Sequence, residues 1–297
     1  MSLQPEPHVH PVTRVKAPWP LKAETYVLFL RMKELPARVY DPLEQVWEGE
    51  DHGQFKGGLG AVMIVRYSDT PVGPYDELML IPGNFTVPQP STGAPKIPKE
   101  ALRIARIYVS QRTTTYNGRL NWNIPKHLAR FTFSAPPTQH NTRPPQALDV
   151  RVFPPGTSHG DAVSPFFSCT LTPWRWIPAI PVNTAYVPIK MLSVQPPCPE
   201  APGQQAAALF EAELKTPIDA YDVGEKNEEA VLVGTERWCA TNFEAQSRAR
   251  GCWVKMHTGE EVVKEGKHWP QGLKPWSVGV WMEGAEFEFG KPIEWKL

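Results

Sequence analysis

Cysteine is scarce in this chain: there are four in 297 residues, Cys169, Cys198, Cys239 and Cys252, with no C-x-x-C pair and no Cys/His spacing that would hold zinc. That excludes a disulfide scaffold, and the four read as free thiols of an intracellular protein. Net charge is also missing. With 31 acidic and 31 basic residues, the composition argues against the broad basic surface that grips nucleic acid. No run approaches the roughly 18 apolar residues that span a bilayer. The proline-rich first twenty residues hold no apolar signal core. The expectation is a cytoplasmic protein with neither a nucleic-acid nor a membrane partner. Gly57-Gly58-Leu59-Gly60 lacks the Lys-Ser/Thr of a phosphate loop. His8 and His10 have no third ligand nearby, so no metal is expected.

What is present is proline and large aromatics. Thirty-four prolines far exceed the usual share of about 5%, and they fall between short apolar runs. Eleven tryptophans and twelve phenylalanines suffice for a substantial core. The runs Thr25 to Leu30, Ala61 to Tyr67, Leu78 to Phe85, Leu102 to Ser110, Arg130 to Ser134, Leu148 to Phe153 and Ser164 to Leu171 read as strands. So do Val182 to Val194, Ala207 to Lys215, Ala230 to Gly234, Trp276 to Met282 and Glu286 to Phe289. Asn242 to Gly251 is a helix candidate. Pro173-Trp174-Arg175-Trp176 could line a cavity or anchor a loop. The pattern predicts a mainly β protein, a large antiparallel β-barrel or sandwich with a few short helices. Residues 1–16 read as a flexible N-terminal arm and 17–297 as one domain. Gln195 to Gln204 resembles a linker, but beyond it the chain carries only more short strands.

Lys126 is the one amine in predominantly apolar company. Trp122, Ile124, Leu128 and Phe131 flank it, and Pro125 before it suits the first position of a helical turn. On spacing alone such a lysine is a solvated surface residue. If the turn faces inward, the ammonium loses its hydration, its pKa falls and a neutral nucleophile becomes available. Glu77, taken alone, is most simply a solvated residue at a strand start; its functional role would be to hydrogen-bond substrate or transfer a proton.

Gly118-Arg119 followed by Ile124-Pro125-Lys126-His127-Leu128-Ala129 resembles the catalytic segment of the acetoacetate decarboxylase family, Gly-Arg-Glu and then aromatic-Pro-Lys-Lys-Leu. Gly73-Pro74-Tyr75-Asp76-Glu77-Leu78 resembles the family's Tyr-x-Glu segment. The resemblance implies a β-barrel of that family's type, a homo-oligomer, and chemistry without a cofactor. Lys126 would be the Schiff-base amine and Glu77 its catalytic carboxylate, with Arg119, Trp122, His127 and Tyr116 as substrate contacts. Leu120 and His127 depart from the motif, and Ala23-Glu24-Thr25-Tyr26 carries no arginine where the family has one facing substrate. This leaves two functions. One is a Schiff-base lyase acting through Lys126 on a keto acid or ketone-containing metabolite by decarboxylation or aldol-type chemistry. The other is an apolar-ligand barrel or non-covalent cyclase in which Lys126 is not a nucleophile.

Overall fold

Alternation along four neighbouring strands divides the molecule into a packed side and a hollow one. The computed structural model describes residues 12–90, 97–139, 142–186, 192–202, 220–221, 229–257 and 267–297. Its strands are β1 (Trp19–Met32), β2 (Phe55–Asp69), β3 (Tyr75–Ile81), β4 (Asn84–Thr86), β5 (Glu100–Leu102), β6 (Arg106–Val109), β7 (Lys126–Leu128) and β8 (Arg130–Phe133). They continue with β9 (Leu148–Phe153), β10 (Phe167–Pro173), β11 (Ile180–Asn183), β12 (Leu192–Gln195), β13 (Trp238–Met256), β14 (Val278–Phe289) and β15 (Ile293–Trp295). A single α-helix is described, α1 (Arg112–Trp122), beside short 3-10 turns such as Leu43–Glu48.

All fifteen strands join one sheet. Within it the pairings β1·β2, β2·β4, β4·β5, β5·β12, β12·β13, β13·β14 and β14·β1 form a ring of seven strands. Among the described strands nearly all pairs are antiparallel, and the large β architecture is as expected. Register then decides where side chains go, because successive residues of a strand face opposite ways. One row runs Val280, Val27, Met63, Met79, Ile107, Lys126 across β14, β1, β2, β3, β6 and β7. The row beside it runs Tyr26, Ile64, Leu78, Tyr108, His127. The second row enters the main core with Leu28, Leu30, Val62 and Leu80; the first, from Val280 to Ile107, faces a cavity.

Helix α1 differs from what the pattern predicts. A helical turn starting at Pro125 is not formed: the helix ends at Trp122, Asn123 caps it in the left-handed region (φ 53°), and Lys126 opens β7 instead. Gln111 caps the other end, its side chain accepting from the Thr114 N–H at 3.1 Å. Several buried polar side chains of α1 bind backbone. Asn117 accepts from the Val15 N–H at 2.7 Å and donates to the Thr13 carbonyl at 2.8 Å, so residues 13–15, which the sequence assigns to a loose arm, lie against this helix.

Asn242 to Gly251 is not a helix but the middle of β13. Leu102 to Ser110 divides into β5 and β6, and Val182 to Val194 contributes to β11 and β12. His8, His10 and the strand expected at Ala207 to Lys215 lie outside the described residues. Among the described residues no helix is long and apolar enough to cross a membrane.

Candidate functional site

Lys126 and Glu77 reach each other across β6. Glu77 pairs with Val109 and Lys126 with Ile107, so both side chains leave the same face, offset by one step along the strands. The Lys126 Nζ lies 2.9 Å from the Glu77 carboxylate, with side chains 5% and 1% exposed. Its remaining donors are met by the Thr114 hydroxyl at 2.9 Å and the Tyr75 hydroxyl at 3.3 Å. All three N–H groups of the ammonium are thereby satisfied. The other Glu77 oxygen accepts from the Tyr67 hydroxyl at 3.0 Å.

The expected fall in the Lys126 pKa does not occur. Burial is the largest single influence and lowers it, but the adjacent Glu77 carboxylate and then Tyr75 outweigh burial, and the net shift is upward. The amine therefore rests as an ammonium. Burial, then the charge of Glu77, pushes the Tyr67 hydroxyl well above its usual range and keeps it a donor.

Gly118 explains why a helix that packs here carries a glycine. A Cβ at that position would sit 2.8 Å from Cδ and 2.9 Å from Cε of Lys126, so the lysine stem occupies the space a side chain would take.

The cavity beside the pair has a volume of about 920 Å³. Its wall is apolar for most of its length, with Val27, Met63, Met79, Ile107, Met282 and Phe287 among the contributors, and it reaches Glu77 and Tyr67. Arg250 is the sole lysine or arginine among the described wall residues, and it is paired with Glu283 at 2.7 Å.

The remaining candidates stand elsewhere. His127 is on the opposite face of β7, where its Nε2 lies 2.8 Å from Glu44; it cannot act as a neighbour of the Lys126 amine. Arg119 meets the other Glu44 oxygen at 2.8 Å and donates to the carbonyls of Val233 at 3.0 Å and Pro199 at 2.7 Å. Burial raises the Glu44 pKa, but His127 and Arg119 overcome this and hold it below its usual value. Asp41, Glu44 and His127 have ligand atoms within 4.8 Å of one another, yet the Arg119 guanidinium already neutralises Glu44. Trp122 packs on Trp19 and Phe289 and donates to the Gly290 carbonyl at 2.8 Å. Tyr116 joins a small cluster with Val12, Val231 and Val233.

Sequence reasoning misses Tyr67, Tyr75 and Thr114. Tyr75 carries a usable signal, since it lies two residues before Glu77 in one strand, and the hairpin places Tyr67 opposite it. Trp174 does line the cavity. The four cysteines are free and buried.

No protein-family model matches the sequence. The chain is 28% identical over 138 residues to Protein NEOXANTHIN-DEFICIENT 1 of Arabidopsis thaliana, covering 46% of this chain and 44% of that protein. It thus spans less than half the length of that curated relative. An acetoacetate decarboxylase from Legionella pneumophila superposes with a TM-score of 0.54 at 11% identity, over 99% of this chain and 92% of the other. A second acetoacetate decarboxylase structure gives 0.50 at 12%, over 95% and 91%. The chain has the acetoacetate decarboxylase-like fold, in a sequence far diverged from those two enzymes.

Proposed function

We propose that the protein is a cofactor-independent enzyme that forms an iminium between Lys126 and the ketone of a predominantly apolar metabolite. The observation that carries this reading is the Lys126 to Glu77 contact at 2.9 Å beside an apolar cavity of about 920 Å³. Glu77 accepts a proton from the ammonium, the neutral amine attacks the carbonyl carbon, and water leaves as the iminium forms. The iminium then draws electrons from a neighbouring carbon–carbon bond: a β-hydroxy ketone releases an aldol fragment, a β-keto acid would release carbon dioxide, and the enamine left on Lys126 is protonated and hydrolysed by water. With Arg250 already paired, the wall offers no free guanidinium for a carboxylate, which favours an apolar ketone over a small keto acid.

A second reading is favoured by the upward shift of Lys126. There the pair stays ionic and serves a non-covalent isomerisation or cyclisation, with Glu77 and Tyr67 meeting the ligand. Borohydride trapping with a panel of apolar ketones and β-keto acids, followed by peptide mapping, separates the two. The expected adduct lies on Lys126, disappears in Lys126→Met and persists at a reduced rate in Glu77→Gln. Turnover that survives Lys126→Met at an unchanged rate removes the iminium. The proposal includes a cytoplasmic setting, consistent with the unpaired thiols, and self-association at β8, a terminal strand of the sheet.

A further inference from the structure

The cavity is long. Leu59 and Tyr67 both belong to its wall and lie eight positions apart on β2, roughly 26 Å at about 3.3 Å per residue. Tyr67 marks the end at the lysine pair. Between the levels of Met63 and Ala61, on the side of the cavity away from Tyr67, the wall continues into exposed tryptophan. Trp174, a wall residue, has Trp176 stacked on it at 6.1 Å and Trp253 against it at 5.4 Å. Phe29, also in the wall, holds Trp276 at 5.9 Å and accepts its backbone N–H at 2.8 Å. Trp176, Trp253 and Trp276 are 76%, 52% and 50% exposed.

Each of these indoles stands within two residues of an exposed cation. Arg175 precedes Trp176, Lys255 is two positions after Trp253, and Lys274 comes before Trp276. Residues 172–177, 251–256 and 272–277 contain no carboxylate. Tryptophan flanked by lysine or arginine suits the headgroup level of an anionic bilayer, where the ring is half-solvated and the cation meets lipid charge.

We infer that this rim docks on an anionic membrane surface and passes a bilayer-dissolved apolar substrate into the cavity without a transit through water. The inference rests on the reading of the cavity as an apolar-ligand site. A second copy of the chain is the less fitting occupant, because a twofold contact through this rim brings like cations together.

Co-sedimentation of the full chain with phosphatidylcholine vesicles, with and without phosphatidylserine, is the test. Binding is expected on the phosphatidylserine vesicles. Trp176→Ser and Trp276→Ser should each weaken it about tenfold, and Arg175→Ser about fivefold on the anionic vesicles alone. These side chains are exposed, so the fold should survive their replacement. Absence of binding to either vesicle overturns the inference, as does binding unchanged in the Trp176→Ser/Trp276→Ser double variant. A wild-type dimer that becomes monomeric in the double variant assigns the face to a second copy and also overturns it. Lys126→Met should bind vesicles like the wild type. Failure of borohydride trapping with vesicle binding intact removes the lysine chemistry and leaves the docking surface.

Discussion

Lys126–Glu77 and Arg119–Glu44 are both buried ion pairs, at 2.9 Å and 2.8 Å, and they lie on opposite sides of β7. Arg119 directs its other donors to backbone carbonyls from distant segments, at Val233 and Pro199, and so ties α1 to the C-terminal half. A guanidinium does not give up its proton under these conditions. Lys126 instead contacts a carboxylate and two hydroxyls, and its partner Glu77 borders open space. Similar distance and burial therefore serve different ends: one pair can move protons and the other is a clamp.

The comparison breaks most visibly in stability. Glu44→Ala leaves Arg119 and His127 without their carboxylate, and a loss of about 3–5 kcal/mol is expected in urea unfolding. Lys126→Met should lose less, since Glu77 keeps Tyr67 and can draw water from the cavity. Equal losses would erase the distinction. Gly118→Ala sharpens the contrast from the other side. The added methyl displaces the lysine stem, so iminium formation should slow about a hundredfold, while stability stays within about 1 kcal/mol because alanine favours the helix. An unchanged trapping rate would mean that the stem has room to move.

The smallest effects are expected at the extremes of pH. Lys126 lies above its ordinary 10.5 in the fold, so its contribution is whole below that value and is lost as pH rises through the raised one. Glu44 lies below its ordinary 4.5, so its contribution is whole above 4.5 and is lost as pH falls through the depressed one. Unfolding free energies measured across pH should show Lys126→Met flattening the alkaline limb and Glu44→Gln the acid limb.

Much of the sheet is legible in the sequence because β1, β2, β3 and β9 carry short apolar runs bounded by turns, with β-branched and aromatic residues in β1, β2 and β9. Lys126 and Glu77 are legible through their motifs. Helix α1 is not, because Thr114, Asn117, Arg119 and Asn121 are buried for hydrogen bonding and leave no apolar stripe. The middle of β13 misleads for a related reason: its polar residues alternate with small ones, and Gly251 makes room for Trp174, whose ring fills the space a Cβ would need. Neither signal can be seen without the partner that explains it. Chain adjacency suggests that His127 stands beside the amine, but in a strand adjacency means opposite faces.

Gly118 also couples two positions of the chain. Because its missing side chain is the space that holds the Lys126 stem, any Cβ at 118 competes with the lysine for one volume. A relative that keeps the lysine but gains a side chain at the glycine must reroute the amine, whereas one that loses the lysine is free to fill the gap. The two positions thus form one steric unit, in which room at 118 is what lets position 126 present an amine to Glu77.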